Sequence, residues 1–299
     1  MSRVRTTRVV EGEYNMFRLA LIGAGGKMGC RLTDNLLKTD IPVSYVEIGE
    51  EGLNNLAVRG LFPTPQDEAV RGADVVVLAV PDVSIGTVTE SITPEMKTGA
   101  MLVLLDPAAL YMNEVRLRDD IAVFVTHPCH PPVFNYDATP EERRDFFGGI
   151  KAPQAIVCAL HQGTEENYDQ GEYIAKTIYA PVTRAHRITI EQMALLEPTM
   201  AETIGAALAT LAKEAMDTAV MNGVPPEAAR DFMLGHINIE LGIVFGEAGN
   251  PFSDAAKVAI EYGRRRLFKD NWQELFQIEN VREQIDVMLH PEKLMYTIK

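Results

Sequence analysis

The sequence predicts an α/β fold in which a doubly wound parallel sheet is followed by an all-helical C-terminal domain. Three observations carry this expectation. Short apolar runs alternate with helical patterns through about the first 185 residues, an alternation that calls for a mainly parallel sheet with helices on both faces. Two of the runs, Val75-Val76-Val77-Leu78-Ala79-Val80 and Met101-Leu102-Val103-Leu104-Leu105, are apolar at every position, as strands buried on both faces are. From about residue 189 the strand signal stops, and apolar residues recur every three or four positions, which is the helical period.

Strands are predicted over 18–22, 43–48, 74–80, 100–105, 121–126, 154–160 and 181–184. A long alanine-rich helix is predicted over 190–221, with further helices over 225–245, 253–268 and 271–289. The domain plan is therefore a tail over 1–15, a sheet domain over 16–188, and an all-helical domain over 189–299. The tail holds Arg3, Arg5 and Arg8 and lacks the apolar stretch of a secretory leader. Met16 stands as an alternative initiator. No internal repeat and no low-complexity segment interrupts the chain.

The connection after the first strand is the most informative stretch. Gly23-Ala24-Gly25-Gly26-Lys27-Met28-Gly29 leads directly into an amphipathic pattern of Met28, Leu32, Leu36 and Leu37. A glycine loop between strand and helix brings the backbone close to a pyrophosphate, which rests on the helix N-terminal amides. Glu47 ends the second strand, about 20 residues on, where an acidic residue takes the ribose hydroxyls of a dinucleotide. The three features in register predict a Rossmann domain. Ile48, Gly49 and Glu50 follow Glu47, so no arginine stands ready for a 2′-phosphate, and NAD is expected in preference to NADP.

In open α/β sheets, ligands bind beyond the carboxyl ends of the strands. The strand ends therefore nominate Val80, Pro81 and Asp82, then Asp106 and Pro107, then Thr126-His127-Pro128-Cys129-His130-Pro131-Pro132. Prolines at 128, 131 and 132 are expected to exclude helix and ladder pairing and to stiffen the loop. His127 is the first candidate for general acid/base or substrate ligand, and His130 a second catalytic or metal-binding candidate. Cys129 is expected only to pack, because no electropositive pocket is indicated around it.

In the helical region Glu197 precedes Pro198, whose missing N–H leaves the carbonyl of Ala194 without its usual donor. A carboxylate beside such an interruption is a candidate for both catalysis and metal binding. His236 and Glu240 stand at i and i+4, on one helical face, a spacing suited to a divalent cation such as Mg²⁺, Mn²⁺ or Ca²⁺. Arg264, Arg265 and Arg266, with Lys257 nearby, form the dense basic cluster of the chain. They read either as a solvated face or as a clamp for a substrate carboxylate.

Composition bounds the partners. Of 299 residues, 46% are hydrophobic and 23% charged, as in globular enzymes. A net charge of −14 argues against nucleic acid, which needs a basic face. No apolar run approaches the length of a membrane span. Cys30, Cys129 and Cys158 show no paired spacing, which predicts a reduced, cytoplasmic setting. A small-molecule substrate and a homodimer built through the alanine-rich helix are expected.

The glycine loop, Ala79-Val80-Pro81-Asp82 and the helical C-terminal half together resemble the 6-phosphogluconate dehydrogenase-like superfamily, which includes β-hydroxyacid dehydrogenases, prephenate dehydrogenases and ketol-acid reductoisomerases. β-Hydroxyacid dehydrogenases carry a catalytic lysine followed four residues later by asparagine, where Glu197 and Ala201 stand here. The acidic replacement suggests a metal-assisted site closer in logic to ketol-acid reductoisomerase. With His127-Pro-Cys-His130-Pro-Pro included, the chain is most similar to the bacterial D-apionate oxidoisomerases. The resemblance implies NAD-dependent oxidation of D-apionate coupled to isomerisation of its skeleton, giving 3-oxo-isoapionate. The alternatives are a simple NAD-dependent hydroxyacid or semialdehyde dehydrogenase and a non-catalytic NAD(H)-sensing protein.

Overall fold

The structure, a computed structural model, describes residues 17–294. The tail over 1–15 and Met16 lie outside the described residues. All seven predicted strands form, as β1 (Leu19–Ile22), β2 (Val43–Val46), β3 (Val75–Leu78), β4 (Met101–Leu104), β5 (Ala122–Pro128), β6 (Gln154–Gln162) and β7 (Val182–Arg187). They make one sheet in the order β2-β1-β3-β4-β5-β6-β7. Pairing is parallel except between β5 and β6, so β1 to β5 all end at one edge. The order reverses at β1, and that switch point opens the crevice beside its carboxyl end.

The first helices are α1 (Lys27–Leu36), α2 (Glu50–Val58), α3 (Gln66–Gly72), α4 (Asp82–Ile92) and α5 (Ala108–Tyr111). Helices α6 (Glu165–Ile178) and α7 (Ile190–Ala194) follow β6 and β7. The apolar runs behave as their composition requires: every residue of β1, β3 and β4 is buried. Helix α6 packs on β5 so closely that a methyl group on Gly171 would meet the Phe124 ring at 2.4 Å. Phe124 itself is fully buried at the centre of the core.

The chain divides into two units, one reaching to Ala194 and taken up again from Val287, the other Leu195–Asp286. The division thus falls a few residues beyond the boundary expected at 188/189, and the last stretch of the chain groups with the sheet. The expected single helix over 190–221 is three pieces: α7, a π-helical segment Leu195–Ala206, and α8 (Ala207–Met221). Pro198 lies inside the π segment. A residue without an N–H breaks the i→i+4 ladder, and π-helical turns accommodate such interruptions, frequently at functional sites.

Helices α9 (Pro226–Val244) and α10 (Asp254–Leu267) match their predicted spans. The last predicted helix is instead a 3₁₀ turn, Trp272–Phe276, and α11 (Ile278–Leu289). Asn280 and Gln284 side chains donate to the carbonyls of Glu274 (2.8 Å) and Leu275 (2.8 Å). These bonds satisfy the ends of the 3₁₀ turn, and the chain breaks at Gln277, whose backbone is extended. Among the described residues no helix is long and apolar enough to cross a membrane.

Candidate active site

The glycine loop occupies the turn between β1 and α1. A Cβ on Gly29 would stand 1.9 Å from the carbonyl oxygen of Gly23, so helix and turn meet only because position 29 has no side chain. Helix α1 begins after Gly26, whose backbone is extended, with no side-chain cap and no acidic residue in the first turn. Its first amides are thus left to an anion, which fits the pyrophosphate of a dinucleotide. Lys27 and Met28 open the helix at this point.

Glu47 follows β2 and is tied into the same turn. Its Oε2 accepts from the Gly25 N–H (3.0 Å), and its Oε1 from the Ile48 and Gly49 N–H groups (2.8 and 2.9 Å). A carboxylate offers about four acceptor positions, so room remains for a ribose hydroxyl. Across the switch point, Val80 lies 3.1 Å from the place a Gly23 Cβ would occupy, Pro81 caps α4 and Asp82 is its first residue.

Burial of its carboxyl, with the nearby Asp106 charge, pushes Asp82 up to about 6. A raised carboxyl makes its contribution to stability below the ordinary carboxylate range, and that contribution is lost as pH rises from about 4 through about 6. In metal-free protein, Asp82→Asn is therefore expected to raise Tm at pH 8 and to change it little at pH 4. Asp82 still meets solvent at the start of α4, so after solvent screening the gain is at most about 1 kcal/mol, or about 2–4 °C in a melting curve.

At the ends of β4 and β5 stand Asp106 and His127. Asp106 is buried, and its Oδ1 accepts from the Ala108 N–H at 2.7 Å, which turns the side chain at the start of α5. A carboxylate oxygen of Asp106 and a ring nitrogen of His127 lie within 4.8 Å of each other. His127 Nδ1 is 2.9 Å from the carbonyl oxygen of Pro128. A carbonyl only accepts, so Nδ1 carries the hydrogen and Nε2 is the basic nitrogen. The sequence nominates Asp106 by its strand end alone; its place beside His127 follows from β4 and β5 being neighbours.

One expectation is corrected here. Pro128 does not exclude ladder pairing: β5 runs through it, in register with Ile156. The ladder bond at this level comes from the Cys129 N–H to the Ala155 carbonyl at 2.9 Å, so the N–H that proline lacks is not missed. Cys129 does not pack away either, being exposed, although the protein around it pushes its thiol up, away from thiolate chemistry.

His130 is held in the left-handed region at φ 61°, where a residue with a Cβ persists only if its surroundings over-determine it. Its ring lies 6.2 Å from that of His127, and its Nδ1 donates to the Phe147 carbonyl at 2.9 Å. The Phe147 ring in turn lies under the Lys27 ammonium (4.4 Å) and the Arg31 guanidinium (5.1 Å). Arg31 also pairs with Asp145. The 145–149 segment is thus fastened to α1 and to His130 together. No motif announces Phe147, which sits in a long connection without regular strand or helix spacing.

In the helical unit, Glu197 lies on the π segment and is 8% exposed. His236 and Glu240 share a face of α9 but are not hydrogen-bonded to each other. His236 stacks on Phe232 (centroids 4.0 Å apart), and its Nδ1 donates to the Phe232 carbonyl at 2.8 Å. Of the basic cluster, Arg265 pairs with Glu261, Lys257 with Asp254, and Arg266 lies over Tyr262.

A Rossmann sheet with an open helix N-terminus, an acid at the ribose position and an imidazole at a strand end on the same sheet edge defines a nicotinamide-dependent oxidoreductase. Residues 16–178 match the NADPH-binding domain of acetohydroxy acid isomeroreductase, and residues 135–289 match the C-terminal domain of decarboxylating phosphogluconate dehydrogenase. The D-apionate oxidoisomerase of Cupriavidus necator is 49% identical over 269 residues, covering 90% of this chain and 98% of that protein. That of Rhizobium rhizogenes is 47% identical over 268 residues, covering 89% and 98%. A semialdehyde dehydrogenase NAD-binding protein from Cupriavidus necator, solved in complex with calcium and NAD, superposes with a TM-score of 0.88 at 49% identity, covering 91% of this chain and 99% of that one. The chain belongs to the D-apionate oxidoisomerase family. The reading as a non-catalytic sensor is set aside by these enzyme relatives.

Proposed function

We propose that the protein oxidises D-apionate, or a branched sugar acid very like it, and rearranges its carbon skeleton. The observation that carries this is His127, fixed in the tautomer that presents Nε2, within 4.8 Å of Asp106 at strand ends on the same sheet edge as the glycine loop. Bound NAD supplies the hydride acceptor. His127 Nε2 takes the hydroxyl proton as the carbinol carbon is oxidised, which is general-base catalysis. The amides of α1, with Lys27 and Met28, hold the pyrophosphate. Glu47 accepts from the ribose hydroxyls and repels a 2′-phosphate, so NAD is preferred to NADP. His130 keeps the substrate end of the loop in place beside His127.

Migration of a carbon–carbon bond needs a ketone and an alkoxide stabilised together, and a divalent cation would supply that stabilisation. We assign its donors to Glu197, His236 and Glu240, which leaves the base role to His127. Two carboxylates and an imidazole suit Mg²⁺, Mn²⁺ or Ca²⁺, and calcium accompanies NAD in the Cupriavidus necator structure. Enzyme stripped with a chelator and assayed with NAD and D-apionate is expected to lose rearranged product, and added Mg²⁺, Mn²⁺ or Ca²⁺ to restore it, with product identity read by NMR. Full activity without metal, or an unrearranged oxo acid as sole product, would leave the simple hydroxyacid or semialdehyde dehydrogenase.

A homodimer through the helical unit belongs to the same reading. Helices α8 and α10 bury no residue within the single chain, and Phe232, Val244, Phe245, Val258 and Tyr262 stand exposed, a load of apolar surface that calls for a partner. Light scattering at micromolar concentration is expected to give twice the chain mass; a single-chain mass would remove the dimer. The three free cysteines support a reducing, cytoplasmic setting.

A further inference from the structure

We infer that Gly52, on the first turn of α2, determines dinucleotide specificity by leaving the space in which the Glu47 carboxylate lies. The inference rests on the reading of Glu47 as the acid that rejects a 2′-phosphate. Both peptide groups of Gly25 are held from outside the loop. Its N–H donates to Glu47 Oε2 (3.0 Å), and its carbonyl accepts from the Asn55 side-chain amide (2.9 Å). Helix α2 also closes on the loop sterically, since a Cβ on Gly25 would fall 2.0 Å from the Gly52 carbonyl oxygen. On its other side Gly52 faces the acid: a Cβ there would lie 2.4 Å from Glu47 Cδ and 2.5 Å from Oε2.

The two sides of Gly52 differ in what would yield. Gly25 meets backbone, which cannot move away, whereas the group crowding a side chain at position 52 is the far end of a flexible glutamate. The backbone of Gly52 is helical, so alanine fits the main chain and favours the helix. The strain of Gly52→Ala therefore falls on the Glu47 carboxylate and turns it off the Gly25 amide. The acid stays in the chain but no longer stands where the second ribose hydroxyl, or its phosphate, would be met. Asn55 acts differently: it holds the Gly25 carbonyl and so the shape of the loop, and does not touch Glu47.

The test is titration calorimetry of NAD and NADP binding to the full chain, with kcat/KM for each cofactor. Glu47→Gln is expected to narrow the NAD preference at least tenfold. Gly52→Ala is expected to narrow it by a similar factor, and the double variant by no more than about twofold beyond either one. Asn55→Ala is expected to weaken both cofactors equally and leave the ratio unchanged. If Glu47→Gln narrows the ratio and Gly52→Ala does not, or if the two effects multiply in the double variant, the role of Gly52 is overturned while Glu47 stands. If Glu47→Gln leaves the ratio intact, the reading of Glu47 falls and the role of Gly52 with it. Gly52→Ser, also compatible with a helix, gives the same comparison should the alanine variant fold poorly.

Discussion

Glu197→Gln is expected to lower kcat for the oxidative rearrangement by roughly two to three orders of magnitude, the scale of a lost catalytic or metal-ligating carboxylate. The dissociation constant for NAD is expected to move less than about twofold, because the groups proposed to hold the dinucleotide are the β1–α1 turn, the start of α1 and Glu47, all in the sheet unit. Glutamine keeps the size of the side chain and one acceptor oxygen, so the change removes charge and ligand strength rather than packing. Glu197 is buried, on a π-helical segment interrupted by Pro198. Burying a carboxylate is costly unless a partner or a cation compensates it, and function is the usual reason such a residue is kept. Stopped-flow turnover together with NAD titration checks the split, and unchanged kcat would take Glu197 out of the site.

The second large effect is expected at His127. His127→Asn should reduce kcat by about 10²–10⁴, the range for removing a positioned general base. Asparagine still offers an N–H to the Pro128 carbonyl, which Nδ1 bonds at 2.9 Å, so the strand end is undisturbed while Nε2 is lost. The matching control is His130→Asn, because asparagine tolerates the positive φ that His130 adopts. Its effect is expected to be smaller, since His130 is engaged with the Phe147 carbonyl. Equal losses at both positions would show that the loop, rather than the His127 base, carries the chemistry.

Much of the sheet was legible from the chain. Runs such as Val75 to Val80 have no polar position to turn toward water, so they could only be strands covered on both sides, and β3 is buried throughout. The glycine loop was legible as a tight turn between strand and helix, and the structure brings Glu47 onto its Gly25 amide. Pro198 after Glu197 announced an interruption, and the π-helical segment is the form it takes. Pro128 misled: taken alone, proline forbids a ladder bond, but the neighbouring Cys129 N–H makes the bond to Ala155 instead.

What the sequence by itself determined is the alternation of buried strands and helices, the change to helix near residue 189, and the residue types at the strand ends. These are local facts, set by periodicity, side-chain polarity and the few residues that suit a tight turn. Only the tertiary structure decided which strand ends are neighbours, and hence that Asp106 stands beside His127. It also decided that α2 would press Gly52 against Glu47, and that Phe147, 17 residues beyond His130, would bond it and lie under Lys27. Such contacts depend on strand order and on the path of long connections, which arise from the packing of the whole chain and leave no period in the sequence.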